Sequence, residues 1–273
     1  MGIPYPRRYS DDVGGTGKTV EFRRMGKALM TRFHIIIPAR LKSSRLPGKM
    51  LIEVAGKTII EHVYRRIESI PAQSISIATD SDDIARAVKR FGADVILTQP
   101  NHPSGTDRIA EAARILGLDE DDVIVNVQGD EPEMNPELVT QVARLVGEDW
   151  SSLYWPIEHL ADLHNPNVVK VVLDNMERAL YFSRSPIPYD REHRQQLPIC
   201  YRHIGLYGYR NQSLQQWVVE PQSLLEKYEC LEQLRAISLG MTIQMQRALF
   251  APGQDINTIE DLNRFKHNIL EYW

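Results

Sequence analysis

The stretch from His34 to Lys49 reads HIIIPARLKSSRLPGK. It opens with a short β-branched apolar run that ends at Pro38, a pattern typical of a buried strand in a parallel sheet. The loop that follows carries cationic side chains among small residues, namely Arg40, Lys42, Arg45 and Lys49. Ligands of open α/β sheets bind outside the carboxyl ends of the strands. The stretch therefore predicts both a strand and the position of a site.

Segments of alternating type follow this first strand. Apolar residues recur at helical spacing from residue 58 to 69, and two good N-cap residues, Asp80 and Ser81, precede a helix that runs to Phe91. Further strands are predicted at 74–79, 95–97 and 123–127, and further helices at 105–116 and 136–146. Strands that alternate with helices indicate βαβ units. We therefore expect an α/β, Rossmann-like fold with a mostly parallel sheet.

The second half of the chain is less regular. Two strands separated by a turn are predicted at 168–173 and 179–182, followed by an aromatic-rich strand at 204–209. The remaining predicted elements are a helix at 225–239, a strand at 242–247 and a closing helix at 259–270. This order predicts a small mixed-sheet subdomain at about residues 165–215, within a single domain that spans residues 33–273.

Residues 1–32 differ in texture from the rest of the chain. They lack apolar periodicity, and we expect them to form a disordered N-terminal extension. The segment contains GGTGKT at 14–19, which imitates a phosphate-binding P-loop. The P-loop pattern requires a glycine where Asp12 stands, and no strand precedes the segment. A nucleotide site is therefore not expected there.

Composition limits the class of protein. A net charge of −4 argues against a global basic field for nucleic acid. The two cysteines, Cys200 and Cys230, match no metal-binding spacing and are expected to be free thiols in a reducing compartment. No apolar run approaches the ~18 residues that span a membrane, and no secretory apolar segment follows the N-terminus. We expect a cytoplasmic protein without membrane insertion.

The loop at 38–49 has two interpretations on charge alone. It is either a solvated basic loop or a cradle for a polyphosphate. Arginine offers paired donors to phosphate oxygens and lysine acts as a point charge, while small residues allow backbone N–H groups to approach the same anion. Charge counting leaves both interpretations open.

The order of residues in this loop resembles the signature of the sugar nucleotidyltransferases. It is closest to that of the 3-deoxy-manno-octulosonate (Kdo) cytidylyltransferases, from which it differs only by Met50, where the family has proline. Further motifs of that family occur in order and at matching spacing: ATD at 78–80, HPSGTDR at 102–108, VNVQGDEP at 125–132, NPN at 165–167, FSR at 182–184, RHIGLY at 202–207 and LEQLR at 231–235. The resemblance covers about residues 33–270.

The resemblance implies a reaction between two anionic substrates. The anomeric hydroxyl of Kdo would attack the α-phosphorus of CTP and release pyrophosphate, to activate the sugar for lipopolysaccharide synthesis. Such a reaction depends mostly on positioning and electrostatic stabilisation. The implied catalytic residues are Arg40, Arg45, Lys49 and Asp130, and the implied nucleotide-binding residues are Ala39, Arg40, Lys49, Ala78, Asp80, Ser104, Arg108 and Gln128.

The sugar-binding residues and the quaternary structure are also implied by resemblance. The sugar acid would contact Gln128, Arg184, His203, Tyr207, Glu232 and Gln233. The family is homodimeric, so we expect a homodimer. Lys170 lies in an otherwise apolar strand and is interpreted either as a charge near the phosphates or as a lysine at a sheet edge.

The expected cofactor is Mg²⁺, which prefers carboxylate oxygens and bridges phosphates. By resemblance Asp130 is one ligand. The second acidic ligand of the family falls at Asn257, whose amide oxygen lacks the charge. Our hypothesis is that Asp255, two residues earlier, compensates, so the expected metal set is Asp130, Asp255 and Asn257. The alternative is a catalytically weak or silent relative that binds CTP and sugar.

Other departures from the family flank the predicted sugar pocket. Tyr154 and Trp155 replace smaller residues, and the segment 185–189 has an extra proline and a tyrosine. These changes are interpreted either as tuning for a modified acceptor, such as the 8-amino analogue of Kdo, or as altered packing.

Overall fold

The structure is a computed structural model that describes residues 32–41, 45–192, 197 and 199–272. The described residues belong to one compact unit, Thr31–Trp273. Apart from Arg32, the predicted N-terminal extension lies outside the described residues, as does Lys42 of the basic loop. The subdomain predicted at about 165–215 stays a prediction.

Eleven strands lie within the described ranges. They are β1 (Phe33–Ala39), β2 (Glu53–Val54), β3 (Lys57–Thr58), β4 (Ser74–Thr79), β5 (Asp94–Leu97), β6 (Val123–Asn126), β7 (Trp150–Pro156), β8 (Lys170–Leu173), β9 (Ala179–Ser183), β10 (Tyr201–Arg210) and β11 (Ile243–Arg247). Nine of them form one sheet with the path β11-β7-β10-β6-β1-β4-β5, and β8 and β9 join it through β10. Strands β2 and β3 form a separate antiparallel pair.

Nine α-helices are found in the same ranges. They are α1 (Ile59–Ile67), α2 (Asp82–Arg90), α3 (Gly105–Ile115), α4 (Pro136–Leu145), α5 (Leu160–His164), α6 (Asn211–Val219), α7 (Leu224–Glu229), α8 (Gln233–Ser238) and α9 (Ile259–Tyr272), and a 3-10 turn covers Lys49–Leu51. No helix of the described residues is long and apolar enough to cross a membrane.

The predicted α/β fold is confirmed, and β1 lies inside its parallel part. Strand β1 pairs in parallel with β4 and β6, and β4 pairs in parallel with β5. Strand β10 is antiparallel to β6 and β7, and β8 and β9 pair antiparallel. Because β1, β4 and β6 run the same way, their carboxyl ends meet at one edge of the sheet.

Both faces of β1 are buried, as its apolar run predicts. Ile35 and Ile37 belong to one apolar cluster, which includes side chains of α1, α2 and α4. Ile36, which points to the other face, belongs to a second cluster with side chains of α3 and α6. This arrangement produces a helix–sheet–helix sandwich, which fixes the strand ends that carry the site.

For the second half of the chain, one prediction was wrong and several elements were not predicted. The helix predicted at 225–239 is two helices, α7 and α8, because Cys230 adopts a left-handed conformation with φ of 52°. A buried ion pair joins the two pieces, with Arg235 donating to both carboxylate oxygens of Glu226 at 2.8 and 2.7 Å. Strand β7 and helices α5 and α6 were not predicted.

Candidate active site

The carboxyl ends of β1 and β4 form the floor of the site. Ala39 and Ala78 are fully buried there, and Pro38 pairs with Ala78 across the two strands. Arg40 follows directly, and its Nη2 group is buried without a hydrogen-bond partner in the described ranges. A buried donor without a partner is costly, so this guanidinium favours an anionic ligand.

Lys49 is held by oxygens from two distant segments. Gly48 adopts φ of 68°, a left-handed conformation suited to glycine, and begins the 3-10 turn that carries Lys49. The Lys49 ammonium donates to Asp130 Oδ2 at 2.5 Å, to the Ile256 carbonyl at 2.8 Å and to Asn257 Oδ1 at 3.3 Å. The lysine is only 6% exposed. Three acceptors thus match the three protons of the ammonium.

Asn257 bridges cations and a carboxylate. Its Oδ1 accepts a hydrogen bond from Arg45 Nη2 at 2.8 Å in addition to that from Lys49. Its Nδ2 donates to Asp255 Oδ2. These partners assign the amide orientation, because a flipped amide would face its NH₂ to two cations and its oxygen to a carboxylate. An aspartate at this position would lack the donor for Asp255.

The loop after β6 lies against the end of β1. A Cβ atom at Gly129 would lie 2.8 Å from the Pro38 carbonyl oxygen and 3.3 Å from Met50 Sδ. The Ile256 amide donates to the Asp130 carbonyl oxygen at 2.9 Å. Glycine therefore allows the close approach that brings Asp130 to Lys49, and Met50, which replaces the family's proline, fills the space beside it.

Negative charge is concentrated around Asp130. Burial, together with Asp130 and Asp255, raises the pKa of the Glu131 carboxyl to about 8. No group of three or more His, Cys, Asp or Glu side chains with metal-binding geometry is found in the described part of the chain. The oxygens that surround the Lys49 ammonium, however, are the hard donors that Mg²⁺ takes. Asp130 and Asn257, with Asp255 adjacent, therefore fit a divalent cation that retains waters or phosphate ligands.

Arg108 is a buried residue whose contacts are with the protein. Its side chain is 1% exposed, donates to Thr98 Oγ1 at 2.5 Å and lies 3.3 Å from Asp80 Oδ1. Burial lowers the pKa of the guanidinium, Asp80 opposes this and Arg40 adds to the lowering. Arg108 therefore lies behind Arg40, where its charge acts on the same region.

Ser104 is the N-cap of α3. It forms a capping box with Asp107, in which the Asp107 amide donates to Ser104 Oγ at 3.1 Å. Capping of this kind fixes where the helix begins. The N-terminus of α3 lies beside the end of β1, since a Cβ atom at Gly105 would be 3.4 Å from the Pro38 side chain, and the positive end of a helix suits an anion.

The residues predicted to bind the sugar fall in two places, one around Tyr207 and Gln233 and the other at a cavity lined by His203. Tyr207 on β10 and Gln233 on α8 are buried, at 4% and 3% exposure. Burial is the largest cause that raises the pKa of the Tyr207 hydroxyl and of the Glu232 carboxyl. Glu232 also accepts a hydrogen bond from Thr106 Oγ1 at 2.6 Å. Thr106 lies within the HPSGTDR motif, but sequence reasoning did not select it.

His203 lines a cavity of about 230 Å³ that also contacts Glu131 and Asp255. Its Nε2 lies 2.9 Å from Ser152 Oγ, whose hydroxyl also contacts two backbone carbonyls. Burial, with Arg202 next to it, lowers the pKa of His203 to about 3. The imidazole is therefore neutral at physiological pH. Because Ser152 has one proton to give to a carbonyl, we assign the imidazole proton to Nε2.

Arg202 is a candidate site residue that the sequence analysis did not select. It lines the same cavity as His203, and its Nε is buried without a hydrogen-bond partner in the part of the chain that the structure describes. The RHIGLY motif contains it, but its neighbour His203 was selected instead. The other cavity residue of interest is Asn167, from the NPN motif.

Gln128 and Arg184 make contacts within the protein. Gln128 Nε2 donates to Asn126 Oδ1 at 3.3 Å. Arg184 donates to the carbonyls of Glu229 at 2.7 Å, Pro166 at 2.9 Å and Cys230 at 3.2 Å. These bonds fasten the end of β9 to the turn between α7 and α8. Contacts of Gln128 and Arg184 with the sugar stay predictions.

Lys170 is a buried cation of β8. It is 0% exposed and donates to the carbonyls of Asn165 at 3.0 Å, Val168 at 2.6 Å and Arg184 at 2.5 Å. Burial lowers the pKa of its ammonium. All three acceptors are backbone oxygens of its own region, which favours a structural role over a phosphate contact.

The fold and these clusters define a nucleotidyltransferase, and comparisons with known proteins agree. The cytidylyltransferase family model matches residues 34–243. A 3-deoxy-manno-octulosonate cytidylyltransferase from Legionella pneumophila (strain Corby) is 51% identical over 233 residues, which are 84% of this chain and 93% of that protein. One from Cellvibrio japonicus (strain Ueda107) is 44% identical over 246 residues, 86% of this chain and 96% of that protein. The chain belongs to the 3-deoxy-manno-octulosonate cytidylyltransferase family.

Two solved structures are similar to this chain to different degrees. The structure of CMP:2-keto-3-deoxy-manno-octonic acid synthetase complexed with CTP is 35% identical, with a TM-score of 0.82, and covers 89% of this chain and 100% of that chain. The 4-diphosphocytidyl-2C-methyl-D-erythritol synthase of Anaerococcus prevotii is 14% identical, with a TM-score of 0.57, and covers 89% of this chain and 98% of that one. The second likeness shows the shared fold alone.

Proposed function

We propose that this protein transfers CMP from CTP to the anomeric hydroxyl of Kdo and releases pyrophosphate. One observation carries the proposal. Arg45 and Lys49 of the basic loop meet Asp130 and Asn257 at the carboxyl edge of the parallel sheet, in a chain 51% identical to a 3-deoxy-manno-octulosonate cytidylyltransferase. Cations and oxygen ligands in one place suit a triphosphate with its metal.

The triphosphate would be held by the loop after β1. Arg40 has a buried N–H group without a partner among the described residues, and Arg45 and Lys49 add two further cations from the same loop. Their charges stabilise the negative charge that develops as pyrophosphate leaves. The capped N-terminus of α3, at Ser104, adds backbone donors to the same region.

Mg²⁺ is proposed as the cofactor. Asp130 and Asn257 would hold it directly, and Asp255 would add a second carboxylate. When bound, the ion supplies charge neutralisation between the phosphates. Asp255 takes this role because it accepts a hydrogen bond from the Asn257 amide, which turns its carboxylate towards the cluster.

The acceptor would occupy the cavity beside His203. Arg202 offers a buried donor without a partner in the described ranges, which suits the carboxylate of a sugar acid. Neutral His203 would contact a sugar hydroxyl. Tyr207 does not line this cavity but packs near His203, with ring centroids 5.2 Å apart, so its contact with the sugar stays a prediction. A hydroxyl that attacks phosphorus from this cavity would lie next to Glu131, which burial keeps protonated up to a pH of about 8.

The departures Tyr154 and Trp155 give no support for a modified acceptor. Tyr154 donates to Glu177 Oε1 at 2.8 Å and packs on Tyr201 with ring centroids 4.7 Å apart. The guanidinium of Arg247 lies 5.4 Å from the centroid of the Trp155 ring. Both residues therefore stabilise the strands around β7. Neither lines the cavity at His203.

Pyrophosphate release tests the proposed function. The assay pairs CTP or UTP with Kdo, its 8-amino analogue or a sugar 1-phosphate, with Mg²⁺ or EDTA. We expect release with CTP, Kdo and Mg²⁺, and at least about 10-fold less with each other pairing, because missing polar partners cost affinity. CTP binding without pyrophosphate release from any acceptor would instead support the catalytically silent alternative.

We also propose a cytoplasmic homodimer. Large apolar side chains are exposed from the end of α6 through α7, with Val219 at 77%, Leu224 at 74% and Tyr228 at 87%. A patch of this kind favours protein association. Cys200 and Cys230 are free thiols, as a reducing compartment requires. Light scattering of the wild type and of Tyr228→Glu tests the dimer, and a monomeric wild type would contradict it.

A further inference from the structure

The Lys49 ammonium sits where a metal ion would be expected. Its three acceptors, Asp130 Oδ2, the Ile256 carbonyl and Asn257 Oδ1, include both oxygens proposed as direct Mg²⁺ ligands. The third, a backbone carbonyl, is a ligand type that hard cations also accept. Lys49 thus places a positive charge among three oxygens that a hard cation could take as part of its ligand set.

An ammonium and a divalent ion exclude each other at this point. Mg²⁺ binds its oxygens at about 2.0–2.1 Å, and Lys49 Nζ is itself 2.5 Å from Asp130 Oδ2. Like charges at such separation repel strongly, the more so where water is scarce. Metal binding therefore requires that Lys49 leave these oxygens.

The ligands are fixed while the lysine is movable. Asp130 is tied through its carbonyl to the Ile256 amide at 2.9 Å, and the close approach at Gly129 holds the same loop against Pro38. Lys49 has four rotatable methylenes and a point charge. A triphosphate beside Arg40 and Arg45 offers that charge new acceptors.

We propose that Lys49 occupies the cation position of the nucleotide-free protein, so that a divalent metal binds only after a triphosphate has drawn Lys49 away. This inference rests on the proposed function, because it concerns the same metal and nucleotide. It adds the Ile256 carbonyl to the ligand set and sets the order of binding: nucleotide first, metal second.

Binding of Mn²⁺ alone to the full-length protein tests this order. The concentration of free Mn²⁺ is measured by electron paramagnetic resonance for the wild type, Lys49→Met, Lys49→Arg and Lys89→Met. We expect Lys49→Met to bind Mn²⁺ at least about 10-fold more tightly than the wild type, since a repelling charge has been removed. Lys49→Arg retains the charge and should resemble the wild type. Lys89→Met is the matched control, because it removes the same charge from an exposed lysine in the last turn of α2, and it should bind Mn²⁺ as the wild type does.

A second measurement uses the wild type alone. Calorimetry should detect CTP binding in EDTA, since the inference lets the nucleotide bind without metal. Wild-type Mn²⁺ affinity equal to that of Lys49→Met, or CTP binding that requires metal, would overturn the proposal. If thermal unfolding shows that Lys49→Met is not folded, Lys49→Gln takes its place, with the same two outcomes.

The two proposals fail in different ways. If the wild type releases pyrophosphate from CTP and Kdo but Lys49→Met binds Mn²⁺ no more tightly than the wild type, the inference about Lys49 is wrong. The proposed function is then still supported. If Lys49→Met binds Mn²⁺ more tightly but the wild type turns over no acceptor, Lys49 does occupy the cation position and the proposed function is wrong.

Discussion

Lys49 Nζ lies 2.5 Å from Asp130 Oδ2, and this contact joins the loops that follow two adjacent parallel strands, β1 and β6. The loop after β1 supplies cationic side chains, and the loop after β6 supplies the carboxylate of Asp130. The contact therefore connects the part of the site proposed for the triphosphate with the part proposed for the metal.

Asp130→Asn keeps the side-chain size and removes the charge. We expect pyrophosphate release to fall by at least about 100-fold, the usual scale for loss of one electrostatic contributor, while CTP binding in EDTA is retained. Asp174→Asn is the matched control, because it removes the same charge from the turn between β8 and β9, where Asp174 pairs with Arg178. Activity of Asp130→Asn within twofold of the control would contradict the assignment.

Asp255→Ala tests whether a neighbouring carboxylate compensates for Asn257. Loss of this charge should raise the Mg²⁺ concentration for half-maximal turnover by about 10-fold, which corresponds to roughly 1.4 kcal/mol. Adding Asn257→Asp to that variant should restore most of the metal affinity. A Mg²⁺ titration decides the matter, and an unchanged curve for Asp255→Ala means that Asp255 has no part in the metal site.

Gly129→Ala tests the close approach of the two loops. The added Cβ would meet the Pro38 carbonyl oxygen at 2.8 Å, so we expect a loss of roughly 1–3 kcal/mol in the free energy of unfolding together with reduced turnover. Gly147→Ala is the control, since a Cβ there meets nothing within 4 Å. Denaturant unfolding of both variants measures the difference, and equal stabilities would show that the loops tolerate separation.

His203 predicts how stability changes with pH. Its folded pKa of about 3 lies below the ordinary value of 6.5, so the unfolded chain binds the additional proton between these values. Stability is therefore fully present above pH 6.5 and falls as the pH drops towards 3. Unfolding free energies of the wild type and His203→Gln, measured from pH 7.5 to 4.5, should show a flatter profile for the variant. Parallel profiles would mean that His203 titrates normally.

The parallel half of the fold was predictable because its signals are local. The apolar run before Pro38 and the cap Ser81 specify element type from neighbours in sequence. Strand β7 was missed because Ser151 and Ser152 interrupt its apolar pattern. Their hydroxyls bond backbone carbonyls of α4 and β10, including Val142 at 2.8 Å, and such distant partners leave no local signal.

The break between α7 and α8 was missed for a related reason. Apolar spacing continues through residues 225–239, while the left-handed residue Cys230 interrupts the helix. The Glu226–Arg235 pair that spans the break is buried, at 4% exposure for each residue. The effect of this ion pair depends on its burial in the folded protein, which cannot be predicted from the spacing of apolar residues in the sequence.

The basic half of the site was predictable from charge and residue order, but its coupling to the C-terminal segment was not. Asn257 looked like a lost acid. In the structure its amide accepts from Arg45 and Lys49 and donates to Asp255, a bridging role that only the folded geometry reveals. The same holds for the Ile256 carbonyl, which carries no side-chain signature.

The most direct test of the proposed function identifies the product. Full-length protein is incubated with CTP, Kdo and Mg²⁺, and the products are identified by mass spectrometry alongside the pyrophosphate assay. We predict CMP–Kdo and pyrophosphate in equal amounts, with neither formed when CTP or Kdo is omitted. Bound CTP without CMP–Kdo, or transfer to a sugar 1-phosphate instead, would contradict the account.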